Sequence, residues 1–304
     1  MVKFQILIKA LRAPFFTAAA VPVTLGAMIA WNHQSSFYWG YFLLTLIGAI
    51  VFHAGVNTAN DYFDHKSGAD EANLNYYTPL YGGSRVIQNG EMKAGQMLAL
   101  SIGCFFLVFA IGIYLALTRG LPILWLGLIG FLSGLFYTAP PISLVSRGLG
   151  ELAVGLNFGV LCTLGAYYVQ TQKFSLEALL ASLPVSLLIA NVLIINEFPD
   201  YQADKQVGKR QLVVRLGRKR ARWIFLLLLC STYGLIILFV LLKLIAPLTL
   251  LCLLTLPLAI RIGINTWKHY DSSDKLLPSN VGTILAHLSI GTLLCLGYVL
   301  QKLL

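Results

Sequence analysis

Asn57, Asp61 and Asp64 recur at intervals of four and three residues, and Asn196, Asp200 and Asp204 at intervals of four. Residues three and four apart share one face of an α-helix, so each triplet predicts an amide and two carboxylates along a single stripe. Carboxylates that close repel unless a cation bridges them. An all-oxygen set with no His or Cys favours a hard ion such as Mg2+, which takes one or two carboxylates and fills its octahedron with water and phosphate oxygens. Zinc suits these ligands poorly. Arg85, Arg147, Lys205, Lys209 and Arg210 follow the two stretches and would cradle a diphosphate. The expectation is two half-sites facing each other across one cavity. Pro199 qualifies the second stripe, because proline kinks or ends a helix.

The elements that must position these residues are membrane helices. The chain has 304 residues, 58% of them hydrophobic and 11% charged, and a mean hydropathy of +0.77. A soluble domain carries about 25% charge. Seven of the twelve carboxylates (Asp61, Asp64, Asp70, Glu71, Glu197, Asp200 and Asp204) fall in the two stretches, each placed after a long apolar run where a helix would reach water. Windows long enough to span a bilayer occur at 15–31, 38–57, 95–117, 121–137, 148–170, 176–195, 221–242, 247–264 and 281–300. They predict an all-α integral membrane protein, one domain over residues 1–304, with nine transmembrane helices around a central cavity. The turn between the third and fourth windows is the least defined boundary. Gly155 and Gly159 form a GxxxG in the fifth window and read as a packing face. His287 reads as an interhelical hydrogen bonder. The five cysteines are scattered singly through the windows and read as packing residues.

With the N-terminus inside, 18 of the 22 Lys and Arg residues, from Lys3, Lys9 and Arg12 to Arg261, Lys268 and Lys275, collect on the cytoplasmic side. The expectation is therefore a cytoplasmic N-terminus, a site on the cytoplasmic side, and residence in a bacterial or archaeal cytoplasmic membrane. The net charge of +10 is explained by orientation and anionic lipid, with no nucleic-acid partner required. Three alternatives compete with a diphosphate site. Solvated loop acids explain one Asp at a helix end better than two matched clusters. A proton- or cation-coupled transporter would carry its acids in mid-span instead of at the water boundary. A phospholipid head-group transferase would need a DGxxAR-type run, which the sequence lacks.

NDYFDxxxGAD at 60–70, GGSR at 82–85, YTAPP with RGLGE at 137–151, FGVLCTLGAYYVQT at 158–171 and DxxxDxxxGKRxLVVRLG at 200–217 resemble the UbiA superfamily of membrane prenyltransferases. Within it the sequence is most similar to the 1,4-dihydroxy-2-naphthoate polyprenyltransferases. The resemblance implies nine helices, two Mg2+-binding motifs (Asn57, Asp61, Asp64 and Asn196, Asp200, Asp204), an isoprenyl diphosphate donor, and an aromatic acceptor that Asp70 orients or activates. It implies prenyl transfer to dihydroxynaphthoate with carboxylate loss; 4-hydroxybenzoate and homogentisate are the alternative acceptors. Tyr62, Phe63, Tyr137, Tyr167 and Tyr168 are candidates for sheltering an allylic cation. The second motif departs from the naphthoate pattern NNxRD: it reads NEFPD, with Glu197 and Pro199 in place of the second Asn and the Arg.

Overall fold

The computed structural model describes residues 4–74, 76–77 and 81–304. Lys3, counted above for orientation, lies outside them. Among the described residues the chain is helical, with an isolated bridge between Tyr77 and Tyr81 as its one strand-like pairing. The membrane-type helices are α1 (Ala13–His33), α2 (Trp39–Ser67), α3 (Ala94–Arg119), α4 (Pro122–Leu135), α5 (Gly150–Thr171), α6 (Leu176–Gln206), α7 (Arg218–Leu241), α8 (Pro247–His269) and α9 (Ser273–Leu303). Eight are long and apolar enough to cross a membrane. The exception is α4: its 14 residues rise about 21 Å, short of the roughly 30 Å hydrocarbon core.

The most enclosed helix is α6, with 72% of its apolar window buried, whereas only 11% of that of α3 is. Phe106, Phe109 and Leu117 accordingly leave α3 outward, toward lipid, and α6 forms the centre of the bundle. It packs against α7 and α9, while α1 packs on α5 and α2 on α3. One core cluster runs through Leu25, Leu188, Phe225 and Ile290. A smaller one, Ala18, Phe158, Ile189 and Val192, walls the central cavity.

Small residues set the closest approaches. A Cβ on Gly159 would lie 1.9 Å from Ser186 Oγ and 2.6 Å from its Cα, so the GxxxG face is the contact between α5 and α6. Within α5, Leu156–Leu161 form a π-helical turn between two α-helical segments, and it turns Asn157 and Phe158 toward the cavity.

Pro199 does not end α6, which continues to Gln206. Proline removes the N–H that would have bonded the Ile195 carbonyl. Asn280 Nδ2 of α9 donates to that carbonyl instead (3.1 Å) and also to Asn196 Oδ1 (2.8 Å). A neighbouring helix thus satisfies the freed group, and Asn196, Asp200 and Asp204 stay on one stripe.

Two stability outcomes are expected in detergent. Gly159→Ala overpacks the α5–α6 contact and costs about 1–3 kcal/mol, whereas Gly103→Ala, which meets nothing within 4 Å, leaves the melting temperature unchanged. Asn280→Ala costs about 1–2 kcal/mol through the unpaired Ile195 carbonyl, read as a lowered melting temperature.

Candidate active site

The acidic end of α2 stops where Gly68 takes a left-handed conformation (φ 77°) and caps the carbonyls of Asp64 and His65. The chain reverses there and brings Asp70 back beside the helix it has left. On α6, Asn196, Asp200 and Asp204 face the same space. Asn57, Asp64, Asp70, Asn196, Asp200 and Asp204 line one cavity, about 1180 Å³ with the open solvent at its mouth included. Its polar mouth passes into an apolar interior walled by Phe15, Val56, Val154, Phe158 and Ile189.

Lys209 joins the two stretches. Its Nζ lies 2.9 Å from Asp64 Oδ2 and 3.9 Å from Asp204 Oδ1. Burial disfavours its charge, but Asp64 and Asp204 outweigh that and raise its pKa, so it remains an ammonium. Asn73 makes a second link, donating from Nδ2 to Asp200 Oδ1 (2.8 Å). Asn60 Nδ2 donates to Asp64 Oδ2 (2.9 Å), and Gln211 Nε2 to Asp204 Oδ2.

Arg12, read from the sequence only as a topogenic charge, lies in the cavity wall and pairs with Asp61. Asp61 is buried behind the lining and also accepts the Ser84 backbone N–H (3.3 Å). Burial acts against the Arg12 charge; Asp61 and Asp70 then raise its pKa above the usual value. The GGSR turn explains its glycines: a Cβ on Gly83 (φ 80°) would sit 3.0 Å from Asp70 Oδ1, and one on Gly82 (φ 78°) 2.4 Å from Tyr76 Cβ. Arg12 (φ 52°) and Arg85 (φ 64°) are both left-handed non-glycine residues, a conformation that costs about 1–3 kcal/mol and gathers at functional sites. Asp70 is pushed up to about 8, by burial first and then by Asp64 and Asp61, against Arg12 and Lys209.

Of the cations expected in the cradle, Lys209 lines the cavity. Arg85, Arg147, Lys205 and Arg210 do not. The Arg85 guanidinium donates to the Asp70 carbonyl and lies 4.3 Å from the Tyr76 ring. Arg147 is exposed and donates to the Pro141 carbonyl (3.2 Å). Lys205 lies over the Tyr201 ring, and Arg210 is exposed on the turn after Lys209. Of the five aromatics named as shelter, Tyr137 alone lines the cavity; burial raises its pKa and keeps the phenol neutral. Tyr167 instead meets His33 Nδ1 (2.9 Å) and Tyr168 packs on Phe174. Glu197 borders the cavity while its Oε2 accepts the Val213 amide (3.1 Å), and Glu151 Oε1 accepts that of Leu212 (3.3 Å). Both anchor the turn that carries Lys209.

Among the described residues, no three His, Cys, Asp or Glu side chains converge as a ready metal-ligand cluster. The acids are held by Lys209, Arg12 and Asn73 instead. The Asn196, Asp200 and Asp204 oxygens on α6, and those of Asn57 and Asp64 on α2 with Asp61 set behind them, nevertheless suit Mg2+, whose remaining ligands are typically water and phosphate oxygens. Sequence reasoning missed Asn73, which no spacing rule marks, and His53, which extends the α2 stripe by four residues.

The UbiA prenyltransferase family matches residues 19–281, and the chain belongs to it. It is an integral membrane prenyltransferase. Among similar proteins, the 2-carboxy-1,4-naphthoquinone phytyltransferase of Synechocystis is 29% identical over 95% of this chain and 91% of its own. The 1,4-dihydroxy-2-naphthoate octaprenyltransferase of Haemophilus influenzae is 31% identical over 91% and 88%. A UbiA homolog from Archaeoglobus fulgidus, solved bound to GPP and Mg2+, shares the fold with a TM-score of 0.63 at 17% identity, over 95% of this chain and 99% of that one. An apo UbiA homolog from Aeropyrum pernix gives 0.66 over 93% and 97%, also at 17% identity.

Lys209→Met leaves Asp64 and Asp204 with only their amide donors and no cation, which destabilises this partly buried site. The expected outcome is a melting temperature that falls in EDTA and recovers in part with Mg2+, while wild type responds less.

Proposed function

We propose that this protein transfers a polyprenyl group from an isoprenyl diphosphate to 1,4-dihydroxy-2-naphthoate, with loss of the carboxylate and with Mg2+ as cofactor. The observation that carries the proposal is the single cavity whose mouth joins both acidic stripes and Lys209 and whose interior is apolar. A substrate that fits must be anionic at one end and greasy beyond it. The naphthoate names of the relatives support the acceptor, and the GPP and Mg2+ bound to the Archaeoglobus homolog support donor and metal. The Lys and Arg distribution supports a site on the cytoplasmic side.

Asn57, Asp61 and Asp64 would hold one Mg2+, and Asn196, Asp200 and Asp204 the other. When bound, the metal supplies Lewis-acid stabilisation of diphosphate oxygens. Lys209 and Arg12 stabilise the negative charge that grows on the diphosphate as the allylic C–O bond breaks. The apolar wall keeps water from the allylic cation, and the Tyr137 and Phe158 ring faces shelter it. The ring carbon bearing the carboxylate bonds to prenyl C1. The carboxylate leaves as CO2, and its bonding pair restores the aromatic ring. Asp70, close to Lys209 and Arg12, orients the acceptor at the mouth. Arg85 holds the Asp70 segment through its carbonyl. Arg147, Lys205 and Arg210 would act on the approach of the diphosphate.

Asp61→Ala and Asp200→Ala are each expected to remain folded and to lose about 10²–10³-fold in transfer rate, as when one preorganised electrostatic group is removed. The assay pairs prenyl diphosphates with dihydroxynaphthoate, 4-hydroxybenzoate and homogentisate, with and without Mg2+, and reads products by mass spectrometry. A decarboxylated prenylnaphthalene product supports the proposal; product from only the other two acceptors, or equal turnover in EDTA, contradicts it.

A further inference from the structure

His53 lies on the cavity stripe of α2, four residues before Asn57 and so about 6 Å deeper along the helix. It lines the cavity and is 8% exposed, and among the described residues its Nδ1 has no hydrogen-bond partner. Its ring is held in place from both sides: the Phe158 ring centroid is 4.4 Å away at an interplanar angle of 40°, and that of Phe16 6.3 Å away. Asn157, adjacent to Phe158 on the π-helical turn, also lines the cavity. Its Oδ1 accepts from Ser133 Oγ (2.8 Å), which orients the amide with Nδ2 as the remaining donor. Gly134 of α4, also in the lining, lets that helix lie close against α2, since a Cβ there would sit 2.6 Å from Phe52 Cζ.

A buried imidazole nitrogen left unpartnered is costly, and a ligand that bonds it recovers that cost. Of the two substrates proposed above, the prenyl tail has no polar group to offer and the diphosphate belongs with the acids and cations of the mouth. The acceptor carboxylate is better placed at the mouth as well, where Lys209 and Arg12 can pair it; beside His53 the lining offers only aromatic rings and the neutral Asn157 amide, and an unpaired ion there is disfavoured. A neutral ring hydroxyl remains. Resting on the proposed acceptor class, we infer that His53 is a specificity-determining residue that hydrogen-bonds a hydroxyl of the aromatic acceptor and seats its ring against Phe158.

The test compares wild type with His53→Phe and His53→Asn, using geranylgeranyl diphosphate, dihydroxynaphthoate, and, as acceptor analogues competed against dihydroxynaphthoate, 2-naphthoate and its 1-hydroxy and 4-hydroxy derivatives. Wild type is expected to bind one hydroxylated analogue about tenfold more tightly than 2-naphthoate. His53→Phe is expected to lose that preference and raise the acceptor KM about tenfold, leaving the prenyl diphosphate KM within about twofold. His53→Asn, which keeps a hydrogen-bonding group, restores part of the preference and serves alone if the Phe variant does not fold. An unchanged acceptor KM overturns the inference. So does a parallel rise in both KM values, or a hydroxyl preference that survives the substitutions. A wild-type enzyme that prenylates none of the aromatic acceptors removes the proposed function itself, whereas wild-type transfer with indifferent variants removes only the role of His53.

Discussion

The Lys209 ammonium stands between Asp64 of α2 and Asp204 of α6, and through it two distant stretches of chain become one site. Asp61, Asp64, Asp70, Asp200 and Asp204 gather around one cavity and its wall, where the half-buried Lys209 pairs with Asp64 and Asp204 and the half-buried Arg12 with Asp61. The acids outnumber these partners, and burial together with Asp64 and Asp61 pushes the Asp70 carboxyl above the usual carboxylate range. Such an excess of carboxylate is expensive to bury. It suits a reaction in which divalent cations and an anionic substrate arrive together. The turn bearing Lys209 is fixed in its own right by Glu197 and Glu151, which take the amides of Val213 and Leu212.

Helix geometry then decides what the cavity sees. The carbonyl freed by Pro199 finds Asn280 on α9, so α6 stays helical past Asp204. The π-helical turn of α5 and the glycines that let α5 lie against α6 set the opposite wall. These are packing and hydrogen-bond solutions within the bundle; they keep α6 helical through its stripe and seat it against α5.

The spacing of Asn57, Asp61 and Asp64, and of Asn196, Asp200 and Asp204, was enough to place the stripes on their helices, because helical periodicity is local. The apolar windows located the spans for the same reason, except at α4, where the hydropathic run is longer than its helix. The cationic partners were less legible. Arg85, Arg147, Lys205 and Arg210 lie near the motifs in sequence, but Arg85 and Arg147 are taken by carbonyls and Lys205 and Arg210 point to solvent, whereas Arg12 reaches Asp61 across 49 residues. Long flexible side chains find partners through tertiary structure, and no short-range rule encodes that choice. Pro199 looked like a helix end because its compensating donor, Asn280, is remote in the chain.

The most direct test of a single, shared site is binding of a non-hydrolysable prenyl thiodiphosphate, measured calorimetrically with and without Mg2+ in wild type, Asp64→Asn and Asp204→Asn. The expected result is Mg2+-dependent binding that weakens comparably when either carboxylate is neutralised, one from each stretch. Full-strength binding in one of the two variants, or binding indifferent to Mg2+, would contradict it.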